Sequence, residues 1–168
     1  MGDWVEWFNA YRVSAQHLAS VLLAAAIWRW GGAPERWLMG AFLATMIAPM
    51  YVFDALGIWA AEASPYAPLY IGLDVLAAAL FTAIALNANR NYPLWIAGFQ
   101  LVAVVAHLVK ALVHDVSPFA YAVLVIGPSY CQLLLLLGGF ARHTARQRRF
   151  GPYREWRLGW QAPQWWRA

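Results

Sequence analysis

Five long apolar stretches, separated by short polar joints, set the pattern of this chain. They run over about Val13–Trp30, Trp37–Ala61, Leu69–Asn87, Tyr92–Val113 and Pro118–Phe140. Each is long enough, or nearly so, for the roughly 20 residues a helix needs to cross the hydrocarbon core of a bilayer. The joints carry helix stop and start signals. Gly31, Gly32 and Pro34 break the first, Ser64, Pro65 and Pro68 the second, and Asn87, Asn89, Asn91 and Pro93 the third. Ser117 before Pro118 reads as an N-cap followed by proline at the first helical position. Joints this short make successive helices antiparallel neighbours. The pattern predicts an all-α integral membrane bundle of five transmembrane helices, with no internal repeat and no low-complexity tract.

Composition supports the same solvent. Hydrophobic residues make up 62% and charged residues 12% of the 168 positions, against about 45–50% and about 25% in ordinary soluble domains. A soluble domain of this size lacks the interior to hide so much apolar surface. The eleven Trp and eight Tyr suit a membrane–water boundary. A lone Cys131 excludes an internal disulfide, a CxxC redox pair and a thiolate metal cluster. The acidic and aromatic start, Asp3, Trp4, Glu6 and Trp7, is unlike the basic opening of a cleavable signal peptide.

Charge then orients the helices. With the C-terminus on the cytoplasmic side, ten of the twelve Lys and Arg residues fall inside, leaving only Arg12 outside and Lys110 within a span. The expected topology is N-out/C-in, in a multi-pass protein of a bacterial-type inner membrane. Residues 1–12 read as an outer interfacial segment with Trp4, Trp7, Phe8 and Tyr11 at helical spacing. Residues 13–140 form the transmembrane domain, and 141–168 a basic, Trp-rich cytoplasmic tail that anchors on anionic lipid. The tail carries no nucleic-acid-binding motif.

The candidate chemistry lies in the polar residues of the spans, each of which costs roughly 2.5–3.5 kcal/mol on insertion scales. Stepping about 100° per residue along the fourth span, Gln100, His107, Lys110 and His114 fall in one arc of about 80°. Such a stripe is expected to face protein or a wet cavity. On the N-out topology Asp54, Asp74 and Asp115 share its depth, as does His17. The seven residues Asp54, Asp74, Gln100, His107, Lys110, His114 and Asp115 therefore predict a polar pocket in the outer half of the bilayer, with Asp54 and Asp74 as counter-charges for Lys110. The sharpest pairing is Asp74 with Lys110, whose depths differ by about 7 Å, within reach of a lysine stem. The inner half is expected to hold no ionisable group deeper than its flanking arginines. Pro49 and Pro128 are expected to kink their helices.

No phosphate-cradling, serine-hydrolase or zinc-protease signature is present. The chain thus reads as a non-catalytic membrane protein: transport- or channel-like, ligand-binding, or a subunit of a larger complex. Runs such as Ala24, Ala25, Ala26 and Ala77, Ala78, Ala79 permit close helix approach, including within a homo-oligomer. One alternative is a redox subunit associated with haem or quinone through His17, His107 or His114. Another is a membrane-embedded enzyme in which Asp74 or Asp54 orients a histidine base.

Overall fold

The computed structural model describes residues 3–57, 67–113 and 117–157, and all its elements are helical. Helix α1 runs over Asp3–Trp30 and α2 over Ala33–Phe42. A π-helical turn, Leu43–Ile47, joins α2 to α3, Ala48–Ala55, so that residues 33–55 form one rod. Helices α4 (Ala67–Asn87), α5 (Tyr92–Leu112) and α6 (Pro118–Phe150) follow. Among the described residues, four helices are long and apolar enough to cross a membrane: Ala33–Ala55, Pro68–Asn87, Tyr92–Leu112 and Phe119–Phe150. The first helix has the length, but Arg12, Gln16, His17 and Arg29 dilute its apolar run.

The π turn has a chemical cause. Pro49 has no N–H for the carbonyl four residues back, and its ring would crowd that carbonyl. The backbone widens just before it, where the Ala48 N–H bonds the Leu43 carbonyl five residues back. The kink foreseen at Pro49 therefore takes the form of a local π turn. At Pro128 the helical assignment of α6 is unbroken.

Helix α5 packs between α4 and α6, and α2 fills the space among α1, α4 and α6. The buried core joins Ile27 of α1, Leu38, Met39 and Phe42 of α2, Ala77, Phe81 and Ala85 of α4, Ile96 and Ala97 of α5, and Leu136 of α6. Small residues at Ala77, Ala85 and Ala97 bring these helices close. Gly139 does the same on α6, where an added Cβ would lie 2.6 Å from the Tyr92 ring. The opposite faces carry large apolar side chains outward, among them Leu22, Leu86, Trp95 and Leu134.

Three boundaries differ from the spacing-based reading. The second rod ends at Ala55 rather than near Ala61, because Gly57 takes a left-handed backbone (φ 66°) and its N–H bonds the Asp54 carbonyl. At the two ends of the chain the helices run through the expected segment borders. Helix α1 starts at Asp3, and α6 continues ten residues past Phe140 into its basic stretch. At 33 residues α6 is about 50 Å long, well beyond the roughly 30 Å of a hydrocarbon core.

Candidate functional site

Helices α4, α5 and α6 meet through a single file of polar side chains. Gln100 on α5 is 1% exposed; its Nε2 donates to Asp74 Oδ1 on α4 at 2.8 Å and to the Asp74 carbonyl at 3.3 Å. One helical repeat further along α5, His107 Nε2 lies 2.7 Å from Asp74 Oδ2, and Tyr121 Oη of α6 lies 2.7 Å from His107 Nδ1. A carboxylate only accepts, so the Nε2–H is donated to Asp74; in the neutral ring Nδ1 then accepts the Tyr121 hydroxyl proton. At the other end, Gln132 Nε2 of α6 donates to Gln100 Oε1 at 2.8 Å. The file thus runs Tyr121–His107–Asp74–Gln100–Gln132. It ends on Gln132 Oε1, a fully buried acceptor with no donor among the described residues. Tyr121 also lines an apolar groove of about 300 Å³ between α5 and α6, walled by Leu101, Val105, Val109 and Leu124.

The stripe of the fourth span divides. Gln100 and Ala103 are buried and the His107 side chain is 9% exposed. Lys110 is exposed, and its ammonium rests 4.0 Å from the Tyr121 ring centroid. The partner of Asp74 is therefore His107 and not Lys110. The imidazole already meets the carboxylate without a bridging stem, and the lysine, at the edge of the arc, swings onto an aromatic face instead. Asp54 stands exposed at the end of α3 and joins none of these bonds. His114 and Asp115 lie outside the described residues, as do Glu62, residues 158–168 and the side chains of Trp4, Trp7 and Phe8. His17 Nδ1 bonds Tyr51 Oη at 2.9 Å, and Gln16 Nε2 donates to Ser129 Oγ at 3.0 Å, tying α1 to α3 and α6.

A second cluster occupies the opposite end of the bundle, at the depth of the arginines that flank the apolar helices. Glu35, in the first turn of α2, is fully buried and forms an ion pair with Arg90 from the α4–α5 joint. The Tyr92 hydroxyl donates to Glu35 Oε1 at 3.0 Å. Arg90 also lies 3.7 Å from Glu155 and 3.0 Å from His143 Nδ1, with its guanidinium 5.3 Å from the centre of the Tyr153 ring. A guanidinium only donates, so Nδ1 of His143 accepts and that ring is neutral. The segment after α6 folds back to complete the cluster. Glu155 Oε2 accepts the Ala33 N–H, its carbonyl accepts the Asn89 N–H, and the Arg157 N–H bonds the Asn87 carbonyl. Gly32 is the residue that admits this crowding, since a Cβ there would collide with Glu155 and lie 2.9 Å from Arg90.

One signal for this cluster was available. Glu35 and Glu155 are the acidic residues on the side otherwise filled with arginine. Spacing within one helix does not reveal it, because its members come from a helix start, a joint and a returning tail. No protein-family model matches the chain, and neither the curated proteins nor the solved structures contain a match to it.

Proposed function

We propose that the chain is a non-catalytic, multi-pass protein of a bacterial-type inner membrane, with five spans, its N-terminus outside and its C-terminus inside. It binds a small amphipathic ligand in the outer half of the bilayer. The observation that carries this reading is the Tyr121–His107–Asp74–Gln100–Gln132 file. It places an open acceptor at one end and, at the other, a hydroxyl on the edge of an apolar groove. Polar residues held this way among apolar helices mark binding or transport sites. The groove takes the apolar part of the ligand, and Tyr121, with His107 behind it, meets the polar part. Helix α1 serves as the remaining span, supported by the outward-facing Leu18, Val21 and Leu22 along its middle.

Substituted cysteines test both parts. In a Cys131→Ser chain, Lys110→Cys, at the exposed position beside Tyr121, should react with a membrane-impermeant maleimide added to intact cells, whereas the exposed Asn89→Cys should react only after permeabilisation. Labelling of position 89 from outside would sink the topology. An unreactive position 110, with position 89 behaving as expected, would sink the outward-facing site alone.

The 2.7 Å contact between Asp74 and His107 also suits a second reading, in which Asp74 orients His107 as a general base in a membrane-embedded enzyme. A haem reading gains less from the geometry. Asp74 and Tyr121 engage both ring nitrogens of His107, so an axial bond to iron would displace one of them.

A further inference from the structure

The end of the bundle built around Arg90 holds more positive charge than its internal bonds use. Among the described residues, the acidic side chains at this end are Glu35 and Glu155. Both are engaged by Arg90, and Glu155 also accepts the Ala33 N–H. Arg142 and Arg146, one turn apart on the extension of α6, have no ion-pair partner among the described residues. Residues 158–168 contain no Asp or Glu. The two arginines line a polar pocket of about 230 Å³ together with Arg90, Asn91, His143 and Tyr153. Tyr153 orders this wall. Its ring has the Arg146 guanidinium 4.2 Å from its centroid and that of Arg90 at 5.3 Å, and its hydroxyl bonds His143. The start of α5, at Asn91 and Tyr92, opens on the same space and adds the positive end of a helix dipole.

Two forked guanidiniums without carboxylates, backed by a third fixed charge and a helix N-terminus, match the oxygens of a phosphate group. We propose that this pocket binds a phosphate-bearing anion through Arg142 and Arg146. The same chemistry is offered by the headgroup of an anionic phospholipid and by a free phosphate. The site shares no residue with the outer file, and its test stands apart from the function proposed above.

Purified full-length chain in detergent is titrated with short-chain phosphatidylglycerol, short-chain phosphatidylcholine and inorganic phosphate, with tryptophan fluorescence as the readout. Saturable binding of phosphatidylglycerol is expected, weakened about tenfold or more by Arg142→Gln or Arg146→Gln. The double variant Arg148→Gln/Arg149→Gln removes exposed charge from the same helix outside the pocket and should change affinity by no more than about twofold. Thermal unfolding of each variant checks that these exposed positions leave the fold intact. Binding of phosphatidylglycerol without inorganic phosphate assigns the site to a lipid headgroup, and binding of both assigns it to phosphate itself. Absence of saturable binding by any probe overturns the proposal. So does an equal loss in the Arg148→Gln/Arg149→Gln variant, which would show diffuse attraction to a basic helix.

Discussion

The two polar clusters stand at opposite ends of α4, α5 and α6 and are wired differently. The one around Asp74 is a file, in which each side chain bonds the next and the members come from within helices. The one around Arg90 is a hub. Arg90 alone touches Glu35, His143, Glu155 and the ring of Tyr153, drawn from α2, α6 and the returning tail. A file transmits a change along its length and tolerates a local repair. A hub concentrates stability in one residue. On this comparison the Arg90 cluster holds the α2 start, the α4–α5 joint and the returning tail together, whereas the Asp74 file links only neighbouring helices.

The largest effect should follow removal of the hub. Arg90→Met leaves the fully buried Glu35 without its counter-charge, a loss of about 3–5 kcal/mol. Thermal unfolding in detergent measures it. Adding Glu35→Met should recover much of the loss, because both desolvated charges are then gone. A double variant as unstable as the sum of the two singles would show that the pair is not coupled, and the hub description would fail.

A smaller effect is expected from breaking the file. Asp74→Leu strands His107 Nε2 in a mostly buried setting and leaves Gln100 Nε2 only its 3.3 Å bond to the backbone carbonyl of residue 74, for about 1–3 kcal/mol. Asp74→Asn should cost less. Its carbonyl still accepts from Gln100, while its amide donates to His107 Nε2. The imidazole then takes the other tautomer, donating from Nδ1 to Tyr121. Nitrogen chemical shifts of His107 report that exchange directly. An unchanged tautomer in Asp74→Asn would mean that Tyr121, rather than Asp74, sets the ring.

Much of this arrangement is legible in the residues. The helix signals at Gly31–Pro34, Asn87–Pro93 and Ser117–Pro118 locate three of the joints. The 3.6-residue period places Gln100 and His107 on one inward face. What spacing along one helix does not carry is the choice of partner. Asp74 has two candidate partners at compatible depth, and the shorter, planar side chain takes it. The Arg90 cluster is hidden from spacing for a related reason. Distance from a loop measures depth, yet Glu35 is buried at a helix start because the tail closes over it. The end of α3 was misplaced because Gly57, set within an apolar run, looked like part of the helix and instead supplies the left-handed turn that stops it.

The smallest expected effect concerns Lys110, and it bears on whether the Asp74 file is held by charge pairing or by hydrogen bonding. Lys110 is exposed, with its ammonium over the face of Tyr121. A cation–π contact at such a site is worth about 0.5–1 kcal/mol. Lys110→Met should therefore shift stability by no more than that, since the methionine keeps contact with the ring. Combined with Asp74→Leu, the losses should add, with a coupling below about 0.5 kcal/mol. The parallel cycle of Asp74→Leu with His107→Leu should show clear coupling, because those two side chains share a 2.7 Å contact. The two cycles measured side by side separate the alternatives. A Lys110–Asp74 coupling as large as the His107–Asp74 one would make the lysine the true counter-charge. The file would then be an ion pair with hydrogen-bonded neighbours, and its affinity for a ligand would depend on salt rather than on the tautomer of His107.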